Sequence, residues 1–232
     1  MGRLLIICWS IVALALHAGA QEKGPAADTD ADYTKAIEKR TQDILAALDL
    51  KDAGKAASVH NVIVAHYRGL RDWHDAHDSK LKELNKWLNP PDSAEAIKAR
   101  EEIAAIKNSL KTLHDGFLRR LATELTSEQV ERVKDRLTYD VVRVTYNAYC
   151  EMLPQLTPPQ KGRILDMLKE AREEAMDGGS SQEKHAVFGR YKGRINNYLA
   201  KEGYDIKRAS KDLAEKLKAR AKSDNPQEPA SK

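Results

Sequence analysis

Apolar side chains recur every three to four residues along most of this chain, the spacing that places them on one face of an α-helix. One long pattern runs from Val59 to Leu88, and another runs from Ile103 to Leu121. They are separated by Asn89-Pro90-Pro91-Asp92. Because proline lacks the amide donor and disfavours helical geometry in the preceding residue, the helix must end there. The pattern therefore predicts two long helices joined as an antiparallel hairpin.

A short motif of the form Leu-Thr-x-x-Gln occurs twice and marks two further helix starts. The two copies are Leu125, Thr126 and Gln129, and Leu156, Thr157 and Gln160. A threonine at the N-cap accepts a hydrogen bond from the amide three residues later, and a glutamine there bonds back to the N-cap amide. We predict this reciprocal helix cap at both copies.

The segment from Thr138 to Thr145 (TYDVVRVT) is rich in β-branched residues and could be a strand. No second run of this kind could pair with it, and Val142, Tyr149 and Met152 continue a helical spacing. We therefore predict a helix here. The expected fold is all-α, with long antiparallel helical hairpins forming an elongated bundle.

The N-terminus has the organisation of a secretory signal peptide. Arg3 precedes an apolar stretch of 13 residues, Leu4 to Leu16, and Ala18-Gly19-Ala20 matches a cleavage pattern before Gln21. That stretch is short for a membrane anchor. We predict a signal peptide at 1–20, a linker at 21–31, a single helical domain at 32–222 and a disordered tail at 223–232. Cleavage between Ala20 and Gln21 would leave a periplasmic or secreted protein.

Composition and cysteine content exclude several classes of protein. The chain is 41% hydrophobic and 32% charged, with a mean hydropathy of −0.62, which excludes a polytopic membrane protein and a collagen-like chain. After cleavage Cys150 is the single thiol, so no intramolecular disulfide can form, and we expect this thiol to be buried.

The histidines do not have the spacing of a known metal site. His74 and His77 share a helix face, but no HExxH motif is present. His66 and His114 each lie 24 residues from Pro90, so a straight hairpin would bring them level and supply at most two ligands. GxSxG, P-loop, GxGxxG and CxxC motifs are also absent from the sequence. We therefore assign no catalytic residue, no metal ligand and no cofactor, and we favour a protein that is not an enzyme.

Basic residues are concentrated near the C-terminus. Between Lys184 and Lys222 there are 12 basic and 4 acidic residues, whereas Gln21 to Glu183 contains 25 basic and 29 acidic residues. The basic segment either docks on the acidic remainder of the chain or attracts an acidic partner. The sequence is compatible with both interpretations.

The segment from His185 to Leu199 contains the candidate ligand-binding residues. Gly189 and Gly193 lie four apart in a predicted helix, where each is destabilising by about 1 kcal/mol relative to alanine. One interpretation is that another backbone packs against them. The other is a site for an anion or a sugar, because guanidinium groups bind carboxylates in a forked geometry. The six candidate residues are His185, Arg190, Lys192, Arg194, Asn197 and Tyr198.

Two families resemble this chain. The paired Leu-Thr-x-x-Gln motif resembles that of the Spy/CpxP group of periplasmic proteins, which implies an all-helical, chaperone-like or stress-regulatory homodimer. Residues 30–205 resemble the uncharacterised exported bacterial family called domain of unknown function 3826. That resemblance is carried by LTSEQV, by TYDVVRVTYNAYCEMLPQLT and by EEAMDGGSSQEKHAVFGRYKGRINNYL, and it implies a secreted helical protein without an established activity.

We expect a binding or chaperone-like envelope protein that holds a client polypeptide or an anionic glycan, with no nucleic-acid partner and no membrane span after cleavage. One alternative is an accessory protein or lyase-type enzyme acting on acidic polysaccharide, with a tyrosine or histidine base and an arginine clamp. Its residues would be His185, Tyr191, Lys192, Arg194 and Tyr198. A second alternative is a structural oligomer with Gly189 and Gly193 at the subunit contact.

Overall fold

The computed structural model describes residues 30–223, and over this range the chain forms eight α-helices and no β-strand. The helices are α1 (Asp30–Leu48), α2 (Ala53–Lys86), α3 (Ala94–Glu124), α4 (Ser127–Leu137), α5 (Val141–Met152), α6 (Pro158–Met176), α7 (Ser181–Lys201) and α8 (Ile206–Ser223). The prediction of an all-α fold is thus confirmed. The predicted signal peptide, most of the linker and residues 224–232 of the predicted tail lie outside the described residues.

None of the helices within residues 30–223 combines the length and the apolar composition that a bilayer span requires. The described chain divides into two compact units. The hairpin unit contains residues 30–139 and 172–187, and the C-terminal unit contains residues 140–171 and 188–223. Helices α6 and α7 contribute residues to both units. The boundaries of a single helical domain at 32–222 stay a prediction.

Helices α2 and α3 form the antiparallel hairpin expected from the sequence. Residues that contact each other across it lie at nearly equal distances along the chain from Pro91. These pairs are Ser58 with Glu124, His66 with Phe117, Trp73 with Ser109, and Lys80 with Glu102. The turn begins where Pro90 and Pro91 prevent helix continuation, and α3 starts after Ser93, whose hydroxyl accepts from the Ala96 amide at 3.0 Å. The hairpin prediction is confirmed.

The core of the hairpin unit lies among α1, α2, α3 and α4. Its buried side chains are the apolar residues that recur at helical spacing: Ile37, Ile44, Val59, Ile63, Phe117, Leu121, Val133 and Leu137. Removal of these faces from water is the main favourable contribution to folding, at about 25 cal/mol per Å² of apolar surface. Helical propensity alone would not hold helices this long together.

Both Leu-Thr-x-x-Gln motifs form reciprocal caps. At α4, the Gln129 amide donates to the Thr126 hydroxyl at 3.3 Å, and the Thr126 amide donates to the Gln129 side chain at 3.1 Å. At α6 the equivalent distances between Thr157 and Gln160 are 3.4 and 3.0 Å. Leu125 and Leu156, which precede the caps, are both buried.

The β-branched segment is only partly helical. Tyr139 and Asp140 have φ values of 59° and 56°, a left-handed conformation that interrupts the helix, and α5 begins at Val141. The predicted helix over Thr138–Thr145 is therefore wrong for its first three residues. Local spacing could not reveal this break, because side chains continue at helical intervals across it.

The C-terminal unit is built from α5, the first part of α6, the second part of α7, and α8. Its buried side chains include Ile164, Leu168, Phe188, Ile195 and Leu199. The buried Tyr149 of α5 donates its hydroxyl to the Asn196 side chain at 2.7 Å. Cys150 is half-buried, rather than buried as the sequence predicts, and forms no disulfide.

Candidate functional site

Helix α7 carries all six candidate ligand-binding residues, but it divides between the two units after Val187. His185 belongs to the hairpin unit, where its ring stacks on Tyr139 with centroids 5.5 Å apart. The other five belong to the C-terminal unit. There the buried face of α7 is formed by Phe188, Ile195 and Leu199, and the candidate residues lie on the remaining faces.

The side chains of Arg190, Arg194 and Asn197 are exposed. The Arg194 side chain is 54% exposed, and its guanidinium lies 4.5 Å from the centroid of the Tyr191 ring. One of its nitrogens lies 3.7 Å from Glu170 of α6, a distance that is too long for a strong hydrogen bond.

Lys192 and Tyr198 are half-buried. Burial lowers the pKa of Lys192. Burial raises the pKa of Tyr198, and Glu202 and Tyr204 add to this, whereas Arg163 of α6 opposes it. Tyr198 therefore lies near charges of both signs.

Gly189 and Gly193 face open space. A Cβ atom added at either residue would have no heavy atom of another part of the chain within 4 Å. The glycines are therefore not explained by tight packing within the described residues. The interpretation that another helix of this chain packs against these glycines is therefore wrong for the described residues.

A groove of about 400 Å³ lies in the C-terminal unit between the end of α5 and α8. Its charged lining residues are Glu151, Asp205, Arg208, Asp212 and Lys216. Glu151 accepts from Arg220 at 2.7 Å, so this carboxylate is already paired. None of the six candidate residues lines this groove.

The hairpin unit contains a second polar arrangement, centred on Asp177 at the end of α6. Its carboxylate lies 2.8 Å from Nδ1 of His114 on α3, and its backbone carbonyl lies 2.8 Å from Nε2 of His74 on α2. The hydrogen bond to Asp177 raises the pKa of His114. Burial lowers the pKa of His74, but the hydrogen bonds to Asp177 and Asp78 outweigh burial and raise this pKa overall.

Arg172 supports the same end of α6. It is 3% exposed and donates to Asp135 at 2.6 Å, to Glu173 at 3.1 Å and to Glu131. Burial lowers the pKa of Arg172, but the bonds to these carboxylates raise it overall, so the guanidinium stays charged.

Lys184 is another buried cation of this unit. It is 5% exposed and donates to the carbonyls of Leu137 and Met176, at the C-terminal ends of α4 and α6. Cations are favourable at this end of a helix. Burial lowers the pKa of Lys184 to about 8.

His66 is fully buried and stacks on Phe117 with ring centroids 3.8 Å apart. Burial lowers its pKa to about 3, with Lys184 and His114 adding to the effect, so the imidazole is neutral.

Across residues 30–223, no group of three or more histidine, cysteine or acidic side chains has an arrangement that could hold a metal ion. The Asp177 arrangement is thus a network that joins helices, and the sequence gives no sign of it because its partners His114 and His74 lie 63 and 103 residues away along the chain.

No curated protein is significantly similar to this chain. A family described as a protein of unknown function (DUF3826) matches residues 34–219. Since this match covers most of the 232 residues, the chain belongs to the DUF3826 family of proteins of unknown function.

Proposed function

We propose that this protein binds an acidic polysaccharide outside the cytoplasm, through the exposed basic side chains of α7 and α8. The observation that carries the proposal is the presence of 12 basic but only 4 acidic residues between Lys184 and Lys222. Of the basic residues, Lys184 is buried and Lys192 is half-buried. The exposed cations are Arg190, Arg194 and Lys201 of α7, and Lys207, Arg208, Lys211, Lys216, Lys218 and Arg220 of α8. A surface with this excess attracts a polyanion over a Debye length of about 8 Å at physiological salt.

The acidic residues of these two helices and of the loop between them are engaged locally and do not cancel the excess. Asp205 accepts from the Arg208 amide at 2.9 Å and thereby caps α8. Glu202 accepts from the Gln160 side chain at 3.0 Å. Asp212 and Glu215 lie 3.9 Å from Arg208 and Lys211 and partly neutralise these two cations. The exposed cations of α7 and α8 nevertheless outnumber these acidic residues, so positive charge remains available for a ligand.

A glycan is favoured over an unfolded client polypeptide, because a chaperone of the holding type needs an exposed apolar face. Among the described residues, the large apolar side chains that are clearly exposed are Trp87 at 57% and Ile97 at 52%, at the turn of the α2–α3 hairpin, and Tyr139. None of them belongs to the C-terminal unit. Helix α7 instead offers guanidinium, amide and phenol groups, which suit hydroxyls and carboxylates of sugars. The predicted signal peptide also supports an extracytoplasmic polymer as the ligand.

The geometry gives less support to a lyase. That alternative required His185, Lys192 and Tyr198 to converge on one substrate. The His185 ring instead stacks on Tyr139, and six residues of helix turn Tyr198 about 120° away from Lys192, so these side chains do not all face one pocket. We therefore propose binding without catalysis.

The test is a native affinity gel in which the mature protein migrates through polygalacturonate, with dextran as the neutral polymer and polyglutamate as the acidic polypeptide. We expect retardation by polygalacturonate that weakens with added salt. The triple variant Arg190→Glu, Arg194→Glu, Lys201→Glu should bind at least about tenfold more weakly. A matched triple variant of exposed α3 and α2 lysines, Lys82→Glu, Lys98→Glu, Lys107→Glu, should bind as the wild type does.

Absence of retardation by polygalacturonate at low salt would overturn the proposal. Equal loss of binding in both triple variants would also contradict it, because net charge alone would then explain the interaction. Stronger retention by polyglutamate than by polygalacturonate would replace the glycan with a polypeptide ligand.

A further inference from the structure

We infer that Tyr191 and Tyr198 form two stacking platforms along α7, that each receives a different ring of a uronate-containing glycan, and that Arg194 binds a carboxylate between them. This inference rests on the proposed function and names the chemical class of the ligand together with the residues that recognise it. It is carried by the order tyrosine, arginine, tyrosine on one side of a single helix.

The two tyrosines are seven residues apart, so they lie on the same side of α7, about 10 Å apart along its axis at 1.5 Å per residue. This separation exceeds the length of one pyranose ring, so each phenol would contact a different sugar. Both side chains are half-buried. They differ in this from Tyr149 of the same unit, which is buried and bonded to Asn196. Half-burial holds a ring in place and leaves part of it available to a ligand.

Arg194 lies one turn after Tyr191 and one turn before Tyr198, which places the three side chains in a row. Its guanidinium packs over the Tyr191 ring at 4.5 Å. A ligand carboxylate would draw the guanidinium off the ring, because a charge-assisted hydrogen bond is stronger than a cation–π contact at an exposed site, and this movement would free the ring face for a sugar. The Arg194 side chain is 54% exposed, and its approach to Glu170 at 3.7 Å is weak enough for a ligand carboxylate to replace.

A second cation, on α6, acts electrostatically on Tyr198. Arg163 of α6 is exposed and near enough to Tyr198 to act against the rise of the tyrosine pKa. Glu202 lies on the same side and acts in the opposite direction. Since Glu170 and Glu202 reduce the local positive charge, electrostatic attraction alone would not select a polyanion at this row of side chains. Contacts between the sugar rings and the two tyrosines supply the rest of the selectivity for a uronate chain.

A uronate chain has the matching chemistry. The C–H face of a pyranose ring is apolar and packs on an aromatic ring, whereas the carboxylate projects from the ring edge. A chain of such rings therefore alternates the groups that Tyr191, Arg194 and Tyr198 bind. An acidic polypeptide supplies the carboxylates without the rings, and a neutral glycan supplies the rings without the carboxylates.

The test is isothermal titration of the mature protein with galacturonate oligomers of increasing length. We expect affinity to rise from the monomer to an oligomer that contacts both platforms, and then to change little. Tyr191→Ala and Tyr198→Ala should each weaken binding at least about tenfold. Tyr191→Phe and Tyr198→Phe should bind as the wild type does, because stacking does not require the hydroxyl. Tyr146→Ala, at a half-buried tyrosine of α5, is the matched control, and circular dichroism verifies that each variant is helical.

The outcomes separate this inference from the proposed function. If the alanine variants bind polygalacturonate normally while the Arg190, Arg194, Lys201 variant does not, the platforms are wrong and polyanion binding stands. If the phenylalanine variants are as weak as the alanine variants, the tyrosines act through their hydroxyls and stacking is overturned. Equal affinity for neutral galactose oligomers would overturn the uronate class. Absence of wild-type binding to any galacturonate polymer would overturn the proposed function itself.

Discussion

Nδ1 of His114 lies 2.8 Å from a carboxylate oxygen of Asp177 and thereby joins α3 to the end of α6 within the hairpin unit. The carboxylate of Glu173 lies 3.8 Å from the other ring nitrogen of His114. Both negative charges favour the imidazolium form, and the pKa of His114 is accordingly raised. The same Asp177 accepts from His74 through its backbone carbonyl, so one residue connects α2, α3 and α6.

Asp177→Asn should lower the free energy of unfolding by about 1.5–3 kcal/mol, the contribution of a hydrogen bond to a charged group. Because the folded pKa of His114 is raised above 6.5, its stabilisation is complete below pH 6.5 and is lost as pH rises through the folded pKa. The deficit of the variant should therefore shrink as pH rises above 6.5. Urea unfolding at several pH values measures this, with Asp75→Asn at an exposed position of α2 as the control. A deficit that is independent of pH would contradict the assignment.

His66 should have the opposite pH dependence. Its folded pKa of about 3 lies below the unfolded value of 6.5, so the folded state excludes a proton that the unfolded state binds. The contribution of the neutral His66 to stability is therefore retained above pH 6.5 and lost as pH falls. At 1.36 kcal/mol for each pH unit below 6.5, the free energy of unfolding should be about 2 kcal/mol lower near pH 5. His66→Leu should remove this loss, whereas His60→Gln on the same helix should retain it. Equal acid sensitivity of the wild type and His66→Leu in urea unfolding would exclude this role.

Arg172→Met should destabilise the hairpin unit by about 1.5–3 kcal/mol, because Asp135 loses the cation that bonds to it, whereas Lys134 still lies 3.1 Å from both Glu131 and Glu173. Adding Glu131→Gln and Asp135→Asn to the Arg172→Met variant should restore part of the lost stability. Arg143→Met, at an exposed position of α5, should change stability by less than about 0.5 kcal/mol. Thermal unfolding distinguishes these variants, and a loss at Arg172 as small as that at Arg143 would show that the network is not stabilising.

The two capping glutamines should differ in importance. Gln129 completes the cap of α4, whereas Gln160 completes the cap of α6 and also accepts from the Tyr204 hydroxyl at 2.8 Å and donates to Glu202 at 3.0 Å. Gln129→Ala should lower the free energy of unfolding by about 0.5–1 kcal/mol, and Gln160→Ala should lower it by about 1–2 kcal/mol. Tyr204→Phe should reduce the difference between them. Unfolding midpoints that are equal for both alanine variants would contradict the additional role of Gln160.

Gly179 and Gly193 should respond oppositely to alanine. A Cβ at Gly179 would lie 2.9 Å from the His74 ring, whereas a Cβ at Gly193 would face open space. Gly179→Ala should therefore lower the melting temperature. Gly193→Ala should raise stability by up to about 1 kcal/mol, because alanine favours the helical state. A loss of stability in Gly193→Ala, together with a reduced mass in light scattering, would instead indicate a subunit contact at this face.

The helices themselves follow from local information. The turn at Pro90 and Pro91 was predictable because proline prevents helix continuation whatever surrounds it. The caps at Thr126 and Thr157 were predictable because donor and acceptor lie three residues apart on the same helix. The break at Tyr139 was not predictable, because a left-handed backbone at a non-glycine residue leaves no mark on the apolar spacing.

Three features follow from local patterns in the sequence: the fold class, the α2–α3 hairpin and the uneven distribution of charge. Each depends on the identity and spacing of nearby residues. Tertiary structure alone decided that His66 stacks on Phe117 while His114 bonds to Asp177, although the sequence predicts that the two histidines are level. It also decided that Gly193 faces open space. These relationships join residues that are far apart along the chain, so they depend on which helix faces pack together. That packing is set by the burial of all the apolar faces at once and not by any local pattern.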